Sequence, residues 1–315
     1  MSTKLVSVVI PNFNNAIWLP ACIESCLQQK SILEIIVVDD HSTDESWQVL
    51  ASYKKMYPSL IKIYQNPDKG ANYARNYGFE QTYGEFIQWL DSDDVLLNDK
   101  FSNQIAQLEA QGADIAYSDF RIDEYKKGGL INQTIKAYGP FEDFTEELLK
   151  DNWTCPNNYL VRRNIAVKLA NGIGWNNNTK IGQDREYFTV AALLGAKFIY
   201  VEGCFAVYNR WSEGTISGMS FKRRLELNQI IEKRFKSMIL ESNFPEYKKK
   251  NYLRILNTHK LKACFYNPSI KVDDLFFLSE IRWDLIHYKM KVILPFVYFN
   301  QTLIFIFNKI RLCFR

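Results

Sequence analysis

A mainly parallel α/β sheet flanked by helices, followed by a helical C-terminal region, is the class this sequence predicts, and three observations predict it. Short apolar runs alternate with amphipathic segments through residues 1–118. Acidic residues collect where those runs stop, at Asp39-Asp40 and at Asp91-Ser92-Asp93-Asp94. Beyond residue 219 the alternation ends and the charge reverses: residues 1–219 carry 20 basic and 27 acidic side chains, residues 220–315 carry 19 and 8. An acidic part and a basic appendage predict that the appendage meets an anionic surface.

The elements follow in order. Val6-Ser7-Val8-Val9-Ile10 reads as a buried strand stopped by Pro11 and by the turn formers Asn12, Asn14 and Asn15. Ile17, Cys22, Ile23, Cys26 and Leu27 give the next segment an apolar stripe at helical spacing. Glu34-Ile35-Ile36-Val37-Val38 is a second strand, after which Ser42-Thr43-Asp44-Glu45 fits a capping box that opens a helix. Residues 60–64 make a third strand and 71–81 a third helix. Gly84 to Leu90 is the central strand, too short for a helix and rich in Phe86, Ile87, Trp89 and Leu90.

Its end carries the chemistry. Ligands of open α/β sheets bind beyond the carboxyl ends of strands, where Asp91 and Asp93 lie. If strand geometry persists, period-two alternation points both the same way. Their mutual repulsion would be relieved by a hard divalent cation, Mg²⁺ or Mn²⁺, shared with substrate phosphates. The plainer alternative is that Asp93 or Asp94 caps a helix starting near Asn98. Asp39 and Asp40 could accept hydrogen bonds from a base or a ribose, so the two clusters together describe a pocket for a nucleoside diphosphate. No G-x-G-x-x-G or Walker sequence follows any strand, which argues against dinucleotide and P-loop sites.

After a strand over 114–120, segments 121–125 and 130–137 flank Lys126-Lys127-Gly128-Gly129 as an exposed hairpin. Loops around Trp153 and Trp175 are rich in aromatics and amides, groups that stack on sugars and bond their hydroxyls; either tryptophan could equally plug the core. Helix 185–194 and strands 197–201 and 205–211 close the region. Helices are expected over 225–240, 247–264 and 272–288.

These stretches resemble inverting glycosyltransferases of family 2, which have the GT-A fold. The resemblance rests on Val8-Val9-Ile10-Pro11-Asn12-Phe13-Asn14, on Ile36 to Asp44 with Asp39-Asp40-His41-Ser42, on Ala74-Arg75-Asn76, on Leu90 to Asp94, and on Gly182-Gln183-Asp184-Arg185-Glu186. It implies a catalytic domain over 1–219, with a nucleotide-sugar half at 1–118 and an acceptor half at 119–219, and a helical, basic region over 220–315. It implies nucleotide binding by Pro11, Asn12, Asp40, Arg75 and Asp91, a metal ligand in Asp93, and a catalytic base in Asp184, which could also cap its helix. Trp153, Trp175, Arg210 and Trp211 are the acceptor-side candidates. Two positions depart from the pattern: His41 stands where the family usually has glycine, and Gln183 replaces a more frequent Glu. Arg210-Trp211 is similar to the Q-x-x-R-W motif of processive synthases, but Val207 occupies the Gln position, so a single-transfer enzyme is expected.

The expected reaction moves one sugar from a nucleotide-diphosphate donor, UDP-linked by the resemblance, to a hydroxyl of a glycan or lipid-linked glycan, as in cell-surface polysaccharide synthesis. No nucleic-acid partner is expected. Two rivals stand beside it: a haloacid-dehalogenase-type phosphatase with Asp91 as nucleophile, and a non-catalytic nucleotide-sugar or glycan-binding module. The six cysteines include no C-x-x-C and histidines number three, which leaves zinc and disulfide frameworks without support. The apolar run at 5–10 is too short for a signal peptide or anchor, predicting a cytoplasmic-side protein. Phe296, Phe299, Leu303, Ile306, Phe307, Ile310 and Phe314 share one helical side, with Arg311 and Arg315 on another. That stripe would lie on the anionic inner face of a membrane, or pack on the protein's own helices.

Overall fold

The computed structural model describes residues 5–126, 129–211, 221–266, 278–286 and 299. The stripe at 296–314 lies outside the described residues except for Phe299. The chain divides into two units: Met1–Phe144 with Trp153–Asn178 and Gln183–Thr215, and Thr145–Asn152 with Thr179–Gly182 and Ile216–Arg315.

The first unit is built on a nine-stranded sheet in the order β3-β2-β1-β4-β8-β6-β9-β5, with β7 paired to β6. Its strands are β1 (Val6–Asn12), β2 (Ile32–Asp39), β3 (Ile61–Gln65), β4 (Phe86–Trp89), β5 (Val95–Leu96), β6 (Ile115–Lys126), β7 (Gly129–Lys136), β8 (Leu160–Arg162) and β9 (Phe198–Trp211). β1 pairs in parallel with β2 and β4, β2 with β3, and β6 with β9. The antiparallel strand β8 joins β4 to β6, so β1, β2, β3, β4, β6 and β9 all run the same way. Their carboxyl ends therefore meet at one edge, the mainly parallel arrangement expected.

Helices α1 (Leu19–Leu27), α2 (Ser46–Met56), α3 (Ala71–Glu80), α4 (Lys100–Gln111), α6 (Arg163–Ala170) and α7 (Gln183–Leu193) complete the first unit, while α5 (Phe144–Leu149) falls, after its first residue, in the second. One core layer joins Val6, Val8, Ile10, Ile35 and Val37 of the sheet to Leu19, Cys22, Ile23 and Cys26 of α1, Leu50 of α2, and Phe101 and Leu108 of α4. On α3, a Cβ at Gly78 would stand 2.6 Å from a Val9 methyl, so glycine lets that helix lie against the strands.

Several local expectations are corrected. Ile17 is 82 % exposed and precedes α1, so the buried stripe starts at Leu19. Ser42 does not cap α2: its hydroxyl donates to Asp39 Oδ1, while the first turn's Ser46 N–H goes to Asp44 Oδ1. Segments 197–201 and 205–211 form one strand, β9, whose register against β6 shifts between Ser118 and Arg121. Gly203, at φ 126°, takes a backbone conformation open to glycine within that strand. The β6–β7 hairpin forms as expected, and all eight β7 residues are exposed.

The second unit contains α8 (Phe221–Glu241) and α9 (Glu246–Tyr266). Leu261, Ala263, Cys264, Ile281 and Ile286 form its core, with Leu225, Phe265 and Trp283 against them. The helix expected over 272–288 is corrected where it is described: 278–280 and 283–285 are separate 3-10 turns. Arg282 there ion-pairs with Glu146 at 3.0 Å and Asp284 at 2.7 Å. Among the described residues no helix is long and apolar enough to cross a membrane, and Cys22, Cys26, Cys155, Cys204 and Cys264 are free thiols.

Candidate active site

The parallel ends of β1 and β2 bring Asn12 beside Asp39. Asp39 is buried, and its Oδ1 accepts from Asn12 Nδ2 at 2.8 Å and from Ser42 Oγ at 2.6 Å. Its Oδ2 takes the Ser42 N–H. The neighbouring Asp40 Oδ1 accepts from Asn66 Nδ2 at 2.6 Å, and its Oδ2 from the Gly70 N–H at 2.9 Å. Both aspartates thus organise the loops around them, and Asp40 ties the end of β2 to the start of α3. His41 sits at φ 62°, in the left-handed region, which accounts for glycine being usual at this position. Pro11 and Asn12 belong to the last residues of β1 and are buried.

At the end of β4 the chain leaves the sheet at Leu90 and turns, with the Asp94 N–H on the Asp91 carbonyl at 3.0 Å. Strand alternation therefore does not govern where Asp91 and Asp93 point, a correction to that expectation. Neither Asp93 nor Asp94 caps the next helix, since α4 starts at Lys100 after Asp99. Asp91 Oδ1 pairs with Arg75 Nη2 at 2.6 Å. Ser92 Oγ accepts from Asn15 Nδ2 at 2.7 Å, which fastens the loop after β1 to the acidic turn. Burial, and then the charge of Asp91, push the Asp93 carboxyl up to about 6. Asp94 is wholly buried and raised by the same burial and by both neighbouring acids.

Arg75 is buried on α3 and stacks over Trp175, 4.5 Å from the ring. Trp175 is 1 % exposed, stacks on Tyr187 at 4.4 Å, and is gripped by Asn76, which both donates to its carbonyl and accepts its N–H. It is therefore a core residue beneath the site and presents no face to an acceptor, which decides between the two readings of that loop. Arg75 itself has little surface to offer a diphosphate; its ion pair with Asp91 and its polar contact with Gln183 link the acidic turn to α7.

Asp184, in the first turn of α7, adds an acid from outside the two strand ends. Its Oδ1 is buried without a hydrogen-bond partner in the structure. Burial drives the carboxyl up to about 7, with Arg75 opposing and Asp91 adding to the shift. That value suits a base working near neutrality. Glu186 is buried and accepts from Asn176.

Trp153 is half-buried. Trp211 stacks on Tyr125 at 4.4 Å and lies 4.4 Å from Trp18, so three half-exposed rings from β9, β6 and the loop before α1 cluster together. Arg210 reaches Glu124 at 3.2 Å and remains largely exposed. Trp18 and Tyr125 were not singled out from the sequence: the parallel β6–β9 register sets Tyr125 opposite Trp211, and Trp18 reaches them from the distant loop before α1.

Among the described residues no group of three or more His, Cys, Asp or Glu is arranged to hold a metal ion by itself. The hard oxygens of Asp91 and Asp93, one acid raised by the other's charge, fit a divalent cation that completes its shell with phosphate oxygens.

A family model described as Glycosyl transferase family 2 matches residues 7–169, from β1 into α6. A UDP-Glc:alpha-D-GlcNAc-diphosphoundecaprenol beta-1,3-glucosyltransferase, WfaP of Escherichia coli, is 37 % identical over 38 % of this chain. The chain spans about half the length of such curated relatives, 48 % for this one. The S. aureus TarS 1-349 structure in complex with UDP-GlcNAc superposes with a TM-score of 0.65 over 88 % of this chain and 77 % of that one, at 19 % identity. The mannosyltransferase PcManGT from Pyrobaculum calidifontis, in complex with GDP-Man and Mn2+, gives a TM-score of 0.59 over 85 % and 73 %, at 16 % identity. These two likenesses are of fold, and they agree with the GT-A class expected. With over half the chain matched by the family model, across the ends of β1, β2 and β4 and the aspartates that follow β2 and β4, the protein belongs to glycosyltransferase family 2.

Proposed function

We propose that the protein transfers one sugar, with inversion, from a UDP-linked donor to a hydroxyl of a glycan or lipid-linked glycan used in building cell-surface polysaccharide. The observation that carries this is Asp184: a half-buried carboxylate held near neutrality, with one buried oxygen unpartnered among the described residues, beside the Arg75 that pairs with the acidic turn after β4. The Asp184 carboxylate takes the proton of the attacking hydroxyl, a contribution of about 10²- to 10⁴-fold. Asp91 and Asp93 would hold Mn²⁺ or Mg²⁺ against the donor's diphosphate, where the cation supplies Lewis-acid stabilisation of the leaving group. Arg75 holds Asp91 in place for that role through their ion pair. Asp40 and Asn12, with Pro11, shape the pocket wall at the ends of β1 and β2, where the base and ribose would lie. The Trp211 cluster and Arg210 sit at the same edge and would face the acceptor.

The UDP reading is supported by the UDP-Glc named for the E. coli relative and by the UDP-GlcNAc complex of TarS, and the lipid-linked acceptor by the diphosphoundecaprenol in the relative's name. The GDP-Man and Mn2+ of PcManGT support a cation and make GDP-sugars the first alternative donors. Family membership, and three strands preceding the acidic turn, count against the phosphatase reading. A screen of nucleotide sugars scored by nucleoside diphosphate release, with Mn²⁺ and a diphosphopolyprenol-linked saccharide, tests the proposal. Release of UDP from one UDP-sugar is expected. Inorganic phosphate release from simple monoesters would return the phosphatase, and binding without turnover the non-catalytic module.

A further inference from the structure

Asp94, the third carboxylate of the acidic turn, is 1 % exposed and faces inward, so it has no access to a ligand. Two asparagines, from elements distant in the chain, meet it there. Asn157 Nδ2 donates to Asp94 Oδ2 at 2.9 Å, and the Asn209 N–H donates to Asp94 Oδ1 at 2.9 Å. The Asn209 side chain also reaches the other way and donates to the carbonyl of Asp93. Residues 93 and 94 are thus clasped by Asn209 from two directions, while Asn157 closes the remaining oxygen of Asp94.

We infer that Asn157 and Asn209 are positioning residues, which set the Asp93 carboxylate for the cation and diphosphate by fixing Asp94 and the Asp93 backbone. The inference rests on the donor-site reading above. Asn157 is itself immobilised. Its Nδ2 also donates to the Val207 carbonyl at 2.9 Å, and its own carbonyl accepts from Gln88 Nε2 at 3.2 Å. The adjoining Asn158 carbonyl takes Lys100 Nζ at 3.0 Å and Gln104 Nε2 at 3.2 Å, and the Asn158 side chain is bonded at both ends to Ser118. The 3-10 turn Pro156–Asn158 is therefore a buried polar hub joining β4, β6, β9 and α4, and Asp94 is the point at which it touches the site. A side chain aimed at a metal or phosphate must be held to within about half an ångström by its supporting partners. Asp93 lies in a turn outside the sheet ladder, so strand hydrogen bonds do not supply that support.

Calorimetry with UDP, in Mn²⁺ and in EDTA, tests this on the full chain with Asn157→Leu, Asn209→Ala and a core control, Leu50→Ala, which is buried in α2 away from the site. In Mn²⁺ both asparagine variants are expected to bind UDP about 10- to 100-fold more weakly than wild type, the scale of an ångström's misplacement. In EDTA they should match wild type. Leu50→Ala should melt lower yet keep its affinity, the pattern of a merely structural residue. Wild-type affinity in Mn²⁺ for folded Asn157→Leu or Asn209→Ala overturns the role of that residue. Should Asn157→Leu not fold, Asn209→Ala, which loses only a strand-end side chain, decides the matter. A wild-type protein that binds UDP equally in Mn²⁺ and EDTA defeats the proposed cation, and this role with it; one that binds no UDP defeats the donor reading.

Discussion

Two strands of the same sheet end in paired aspartates, and their surroundings differ. After β2, the Asp39 and Asp40 carboxylates accept from Asn12, Ser42, Asn66 and Gly70, short polar groups supplied by neighbouring loops. After β4, acids gather around a single guanidinium: Asp91 holds Arg75, Asp93 and Asp184 are pushed up to about 6 and about 7, and Asp184 Oδ1 has no donor. The first cluster uses its charge to shape a loop. The second holds negative charge that its own residues compensate only in part, the condition in which a bound cation or a transferred proton has most to offer.

Asp184→Asn breaks the second cluster at its least satisfied member. It keeps size and helix compatibility but cannot accept a proton, so turnover should fall at least about 10²-fold while the Kd for UDP stays near wild type. Steady-state kinetics beside calorimetry would show this, and near-normal turnover would move the base elsewhere, with Glu186 the first candidate.

Asp93→Ala and Asp39→Ala probe the contrast directly. The former should lose Mn²⁺-dependent UDP affinity by about tenfold or more with its melting temperature held. The latter should lose about 1–3 kcal/mol of stability, because Asn12 and Ser42 are left without their buried acceptor. Equal effects of the two on both measurements would erase the distinction.

The raised carboxyls also make stability pH-dependent. With folded values near 6 for Asp93 and 7 for Asp184 against about 4 in the unfolded chain, the native state binds more protons between about pH 4 and 7. Stability therefore declines as pH rises through that window and levels off above it. Without metal, the melting temperature should be higher at pH 5 than at pH 8. Mn²⁺ with UDP should flatten the slope by favouring the ionised acids, and a metal-free slope of opposite sign would contradict the assigned shifts.

The smallest effect belongs to the first cluster. His41→Gly relieves a left-handed non-glycine backbone but loosens the unfolded chain, so thermal or denaturant unfolding should show a gain of about 1 kcal/mol or less.

The contrast also separates what the sequence made legible from what it did not. β1, β2 and β4 were readable because each is a compact apolar run that a helix could not use, and their parallel order put the acids at one edge. Asp184 was named from the resemblance of Gly182 to Glu186 to the family's acidic motif, beyond the residues the family model matches. Ser42 misled, since a hydroxyl placed for a capping box can equally serve a buried carboxylate one turn back. The residues 153–158 read as a loop rich in aromatics and amides, and Asn157 and Asn158 are fully buried there, their side-chain amides and backbone carbonyls pairing with groups from β4, β6, β9 and α4 that no local pattern connects. The strand β8, three residues long, and β5, two, carry too few side chains for periodicity to show. Lys100, which no sequence pattern singled out, sits buried on Gln104 and the Asn158 carbonyl, its ammonium destabilised by burial.

The pairing of β6 with β9 carries a consequence for the order in which the protein assembles. β1 meets β2 across fewer than thirty residues, whereas Ile115 meets Phe198 across more than eighty. Closing the longer loop costs more chain entropy before any contact rewards it, which places the docking of β9, like that of β4 on β1, after the β1–β2 pair. Asn209 and Trp211 arrive with it. A nascent chain would carry β1, β2 and β4 before β9 is made, so its acidic turn would still lack its clasp, and amide protons of β9 should gain protection after those of β1 and β2 when refolding is followed by pulsed hydrogen exchange. Competence for the donor would be a late event, acquired when the far end of the first unit reaches the sheet.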